Sequence, residues 1–242
     1  MGSCLAERLN DHLRLSQGER DSLDRLEEQE RHFRRGAVVI REHDRPRELF
    51  IVRSGWLHSS VALGNGGRQI MRLHFAGDII GLPLLAFAES PETVTAVTDA
   101  VLCPFSRERF AALLAEHPRI GALILCLAVA ERVALADRLA SIGRTPARAR
   151  VGALLCEISA RLRQAGGVEG DRFALPLTQE EIGDATGLTA VHVNRMMRTL
   201  AEEGLIERPN GHVRLLDEQR LISEVNYVDR TAIDIGWLPP PR

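Results

Sequence analysis

Residues 177–208 read LTQEEIGDATGLTAVHVNRMMRTLAEEGLIER, and no other stretch constrains the chain so tightly. Two short segments of helical period are separated by Gly187 and Leu188. Thr178 precedes Gln179-Glu180-Glu181 and Thr189 precedes Ala190-Val191-His192, so each segment opens on a hydroxyl able to accept a helix N-terminal N–H. The two glutamates sit beside the positive end of the first helix dipole. Ile182 and Ala185 form an inward face on the first helix, and Val193, Met196, Met197 and Leu200 form one on the second. Helix, short glycine-containing turn, helix is the spacing of a helix-turn-helix. LIERPNGHVRL then supplies two short strands around Pro209-Asn210-Gly211, the pattern of a wing.

Such a unit lays its second helix in the major groove of double-stranded DNA. His192, Asn194, Arg195 and Arg198 leave the apolar stripe, and no acid interrupts them. Thr189, Val191, His192, Asn194 and Arg195 are the candidates for base readout. Arg195 leads, because a guanidinium bonded to guanine O6 and N7 is the commonest specific contact, and Asn194 can pair with adenine. Thr178, Gln179, Arg198 and His212 are candidates for phosphate contacts, which position without specifying. The net charge is −2 and every basic residue is arginine, so attraction to DNA must come from a local patch.

Upstream the texture is different. Ser16-Gln17-Gly18-Glu19 fits a capping box before a short helix through ERDSLDRLEEQ. From about residue 31, AVVIREHD, ELFIVRSGWLHSSVALG, RQIMRLHF, ETVTAVTD and AVLCPFS are short, β-branched or alternating runs bounded by turn residues. Asn65-Gly66-Gly67 marks a tight hairpin. Many short antiparallel strands without a long helix between them predict a small barrel or sandwich. Helical texture then runs from Arg107 to Gly143, with Pro118 suited to a first turn. Leu125, Ala128, Arg132, Leu135, Leu139 and Ile142 step by three and four, the seam of a coiled coil, so a second copy of the chain is the expected partner. Ile120, Ile124 and Leu127 form another stripe facing the chain's own barrel. Thr145 and Pro146 are expected to cap and open the next helix.

The fold expected is therefore α+β: an N-terminal antiparallel β-roll of jelly-roll type, a long central dimerisation helix, and a C-terminal winged helix-turn-helix. The boundaries are 1–116, 117–143 and 144–216, with a C-terminal helix and tail over 217–242. Four cysteines, Cys4, Cys103, Cys126 and Cys156, lie far apart and form no metal knuckle or disulfide framework. No apolar run approaches the ~18 residues of a membrane span, and the N-terminus carries charges where a signal peptide needs an apolar core. A cytoplasmic protein is expected.

This order of parts resembles the Crp/Fnr family of bacterial transcription regulators. The resemblance covers about residues 16–216. It is carried by residues 177–208 and by HFAGDIIGLPLL with its paired glycines. It implies a homodimer on an inverted repeat, with a signal in the β-roll altering how the recognition helices are presented, and RNA polymerase as a further partner of an activator. By position the family's guanine-reading arginine matches Arg195, while two other readers, often charged, match Ala190 and Val191. Val191 could touch a thymine methyl instead. Cyclic-nucleotide members carry Gly-Glu where this chain has Gly81-Leu82, and a later arginine that grips the cyclic phosphate. No arginine stands between Arg72 and Arg107. A buried phosphate without its cation is costly, which argues against cAMP. An iron–sulfur cluster of the oxygen-sensing kind needs three clustered N-terminal cysteines, and only Cys4 is near. Haem would require ligands such as His74 and Cys103, a strand histidine being more often structural.

No cofactor is therefore expected. A small apolar effector near Leu82, Leu84 and Phe87 stays open, as does control by abundance. The alternative function is a ligand-binding regulatory module that acts through protein contacts rather than DNA. An enzyme is not expected: there is no nucleophile triad or metal spacing, and GNGGR lacks the strand-to-helix context and lysine of a phosphate loop.

Overall fold

Side-chain caps fix where the helices begin. At the start of α2 (Gln17–Leu26) the Ser16 hydroxyl accepts from the Glu19 N–H, and the Glu19 carboxylate accepts from the Ser16 N–H at 2.7 Å, the capping box expected there. The helix before it, α1 (Cys4–Asn10), has no counterpart in the sequence expectation. It is held from a distance. The buried Glu27 carboxylate accepts from the Ser3 hydroxyl at 2.5 Å and from the Leu5 N–H at 3.0 Å.

The computed structural model describes residues 2–168 and 171–239. The chain divides into two compact units, one of Met1–Ala62, Met71–Glu131 and Ala232–Arg242, the other of Leu63–Ile70 and Arg132–Thr231. Eight strands follow α2: β1 (Arg31–Phe33), β2 (Val38–Ile40), β3 (Glu48–Ser54), β4 (Leu57–Ala62), β5 (Arg68–His74), β6 (Ile79–Ile80), β7 (Thr93–Ala96) and β8 (Ala100–Ser106). They form two four-stranded sheets ordered β1-β8-β3-β6 and β2-β7-β4-β5. The antiparallel roll is thus present, with Asn65-Gly66-Gly67 in the β4–β5 turn, where the Leu63 N–H donates to the Gly67 carbonyl at 2.8 Å.

Alternation along β3 places its side chains on both faces. Phe50 and Val52 enter the roll interior with Leu57, Ile80, Leu84 and Leu102. Leu49 and Ile51 enter a second core with Leu5 and Leu9 of α1, Leu23 of α2, and Phe110 of α3 (Arg107–Glu116). Ile120, Leu123 and Ile124 of α4 (Pro118–Arg144) complete that core, and Leu127 packs against it, so the inward stripe lies as expected and Pro118 is the first helical residue.

A buried carboxylate ties these elements together. Asp78, fully enclosed, accepts from the Phe75 N–H at 3.0 Å and pairs with Arg8 of α1, with Arg72 of β5 3.6 Å away. Arg72 in turn pairs with Glu131 of α4, and Arg8 stands 3.6 Å from the same carboxylate. Alternating charges of this kind compensate one another's desolvation, which neither sign could bear alone.

The second unit contains α5 (Ala147–Gln164), β9 (Arg172–Ala174), α6 (Gln179–Thr186), α7 (Ala190–Glu202), β10 (Ile206–Glu207), β11 (His212–Leu215) and α8 (Glu218–Val225). The three strands form an antiparallel sheet ordered β10-β11-β9.

Four expectations are corrected. Thr145 does not cap α5. Its hydroxyl donates back to the Ser141 carbonyl at 2.8 Å, Pro146 takes the cap position, and the helix opens on Ala147. The boundary at 217 also fails: α8 buries Leu221 and Val225 and lies so close to α5 that a Cβ on Gly152 would stand 2.7 Å from the Val225 side chain. The helix belongs to the winged unit, while Ile233, Ile235 and Leu238 beyond it pack on the core of the first. Leu82, Leu84 and Phe87 do not share a pocket. The short 3-10 turn over Leu82–Leu85 points Leu84 into the roll interior and Leu82 onto the other core, and Phe87, beyond the turn, is 60% exposed. Met196, expected inside, is only half-buried.

Removing the carboxylate in Asp78→Ala leaves two guanidiniums short of a counter-charge. The first unit is expected to lose about 3–5 kcal/mol, measured by urea unfolding; a loss under about 1 kcal/mol would show the cluster to be incidental. Gly183 is closed off by the Leu188 carbonyl, 2.4 Å from where a Cβ would stand. Gly183→Ala is expected to destabilise the winged unit by about 1–3 kcal/mol, read by calorimetry, and an unchanged transition would contradict the contact.

Candidate nucleic-acid interface

The interface is built from the turn outward. In α6 the Thr178 hydroxyl accepts from the Glu181 N–H at 3.1 Å while the Glu181 carboxylate accepts from the Thr178 N–H at 2.7 Å. Gly187 ends the helix at φ 68°, the left-handed conformation that glycine adopts without strain. The Leu188 N–H donates back to the Gly183 carbonyl at 3.0 Å, which draws the Leu188 peptide close over position 183. Thr189 then caps α7 by accepting from the His192 N–H at 3.3 Å. Both threonines and the glycine turn occupy the roles that their spacing predicts.

Helix α7 is committed on one side. Val193, Met197 and Leu200 are wholly buried, against α5, α6 and β10. The opposite side carries Thr189, Val191, Asn194, Arg195 and Arg198, all exposed, with His192 half-buried among them. Val191 is 82% exposed, which no folding requirement explains. The first turn of α7 contains no acid. The structure thus brings all five candidate base readers and Arg198 to one helix. Arg195 and His192 also touch: Nη2 of the arginine lies 2.5 Å from the imidazole Nε2, a pairing their spacing of three allows and the sequence reading did not draw.

The remaining phosphate candidates flank this face. Thr178 is exposed at the start of α6. Gln179 is half-buried, and its Oε1 is enclosed without a hydrogen-bond partner among the described residues. The wing turns through Asn210 at φ 48° and Gly211 at φ 78°, the paired left-handed residues of a tight hairpin. His212 donates from Nδ1 to the Asn210 carbonyl at 3.2 Å, leaving Nε2 for another partner. Arg208, exposed at the wing, is a cation the sequence reading passed over. Arg214 is not available in the same way. It pairs with Asp171 at 2.8 Å, and the two hold each other charged.

The expected dimer seam on α4 is open. Leu125 (64% exposed), Leu135 and Leu139 (71%) face outward with Arg132, joined by Val129. Ala128 and Ile142 are half-buried. Among the described residues no three of His, Cys, Asp and Glu converge as a metal site requires, and no helix is long and apolar enough to cross a membrane.

Residues 30–117 match the cyclic nucleotide-binding domain, and residues 149–224 match the Crp-like helix-turn-helix domain, a span that includes α8. The chain is 25% identical to the fumarate and nitrate reduction regulatory protein of Escherichia coli over 95% of its own length and 89% of that protein's. It is 27% identical to the transcriptional activator protein FnrA of Stutzerimonas stutzeri over 85% of this chain and 84% of the relative. Its fold is similar to that of FixK2 from Bradyrhizobium japonicum, with a TM-score of 0.73, 23% identity, and coverage of 81% of this chain and 96% of that one. With both domains matched in order and the α7 face turned outward, the chain belongs to the Crp/Fnr family of DNA-binding transcription regulators.

Proposed function

We propose that two copies of this chain pair along α4 and read an inverted-repeat operator, each α7 entering a major groove, with half-sites about one helical turn apart. The observation that carries this reading is the outward face of α7, free of acids from Thr189 to Ala201, with Arg195 at its centre. Arg195 takes guanine O6 and N7, Asn194 an adenine, Val191 a thymine methyl, and Thr189 and His192 adjacent base edges. Thr178, Gln179, Arg198 and His212 take phosphates. The exposed stripe of Leu125, Leu135 and Leu139 supports pairing, since apolar side chains at that period want a facing helix. An activator would in addition touch RNA polymerase.

The residues present do not fit a cyclic nucleotide. Beyond the missing arginine, Leu82 stands where the resemblance implies a ribose-binding glutamate, and the half-buried Glu92 has its carboxyl pKa raised by desolvation. Nor do they fit an iron–sulfur cluster held by clustered N-terminal cysteines: Cys4 stands in α1, Cys103 in β8, Cys126 in α4 and Cys156 in α5. His74, the strand histidine considered for haem, is buried with its Nε2 bonded to Ser59 at 2.7 Å. The proposed control is another effector or the abundance of the protein.

Operators selected from genomic fragments make two tests possible. Arg195→Ala is expected to cost about 1–3 kcal/mol, mainly at one base pair per half-site, in fluorescence-anisotropy titrations; equal weakening on every duplex would remove the base-reading role. Leu139→Glu puts a charge in the seam and is expected to yield monomers by analytical ultracentrifugation, with operator affinity reduced at least about tenfold. A dimer of unchanged stability would place the pairing surface elsewhere.

A further inference from the structure

The contact between His192 and Arg195 has a direction. A guanidinium is a donor in every nitrogen and is never deprotonated in a protein, so the imidazole nitrogen 2.5 Å from Nη2 must be the acceptor. That requires His192 neutral, with its proton on Nδ1. Both residues are fixed at their roots: the Thr189 hydroxyl caps the His192 backbone N–H, and the Arg195 carbonyl accepts from the Thr199 hydroxyl at 3.1 Å.

We infer that His192, besides the base edge assigned to it, positions Arg195, holding the guanidinium in one orientation through Nε2 while neutral and releasing it on protonation. The inference rests on the proposed base-reading role of Arg195. Histidine is the side chain that changes charge between about pH 5 and 8. A second proton on the ring turns its acceptor into a donor and places like charge against the guanidinium. The same proton adds a cation to a face that meets phosphates, so attraction to any duplex is maintained or strengthened as discrimination between bases falls. Few other groups compete for the imidazole. Arg198 shares its helix. Among the described residues none of Glu180, Glu181 and Asp184 of α6, Glu207 of β10, or Arg148 and Arg150 of α5 pairs with it.

The test compares the full chain with His192→Gln and Arg195→Ala on a selected operator and on the same duplex changed at the base pair assigned to Arg195. Affinities are measured at pH 8 and pH 5.5. The expected result for the natural chain is a ratio of affinities that falls at least about fivefold at the lower pH, with affinity for the altered duplex level or higher. His192→Gln keeps a neutral acceptor, and its ratio is expected to stay flat. A ratio in the natural chain that does not move, or one that moves equally in His192→Gln, overturns the inference. If Arg195→Ala discriminates as well as the natural chain at both pH values, the failure lies in the base-reading role instead. Nitrogen-15 shifts of the His192 ring supply a readout independent of DNA: an unprotonated Nε2 at pH 8 is expected, and a protonated one contradicts the contact.

Discussion

The recognition face depends on the burial of its reverse. Val193, Met197 and Leu200 are each fully enclosed, and this commits the azimuth of α7 as firmly as a pin through its axis. Burying a large apolar side chain contributes roughly 1.5–3 kcal/mol, so turning the helix to hide Asn194 or Arg195 would expose three such groups at once. The angle of the helix is set separately, by the absence of a side chain at Gly183 and the left-handed turn at Gly187. Presentation of Arg195 is therefore a consequence of apolar contacts it does not make.

The first unit uses the opposite chemistry for a related end. Its interior holds charged groups that are answered by other charged groups of the same chain: Asp78 by Arg8 and Arg72, Glu131 by Arg72, Glu27 by Arg53 and by the N–H groups of α1. Its matching domain is of the cyclic nucleotide-binding kind, yet Leu82 follows Gly81 and no arginine stands between Arg72 and Arg107. Kinship of fold carries over the frame and leaves the ligand chemistry to individual side chains.

Legibility in the sequence followed the range of the interactions. The capping box at Ser16, the caps at Thr178 and Thr189, the hairpin at Asn65-Gly66 and the wing turn at Asn210-Gly211 are settled within four residues and are readable in the sequence. So was the double stripe on α4, because helical period reports two faces directly. Local motif was a poorer guide where a distant partner decides. Helix α1 depends on Glu27, more than twenty positions away, and the assignment of α8 to the winged unit depends on a glycine in α5. Leu82, Leu84 and Phe87 part for a different reason: neighbours in sequence need not converge, and the 3-10 turn sends Leu82 and Leu84 to different cores before Phe87 is reached. Thr145 was misassigned because a hydroxyl can bond backward to a preceding carbonyl as readily as forward to a helix N–H.

Ile233, Ile235 and Leu238 lie on the same apolar cluster as Leu5, Leu23 and Ile124. The first unit is therefore discontinuous: its last piece begins only at Ala232, once the whole winged unit has been made. Contacts of such long sequence separation form late, since the loop must close before they are rewarded. During synthesis the nascent β-roll waits with an uncovered flank while a complete domain emerges behind it. Order of assembly on the ribosome thus differs from order along the chain.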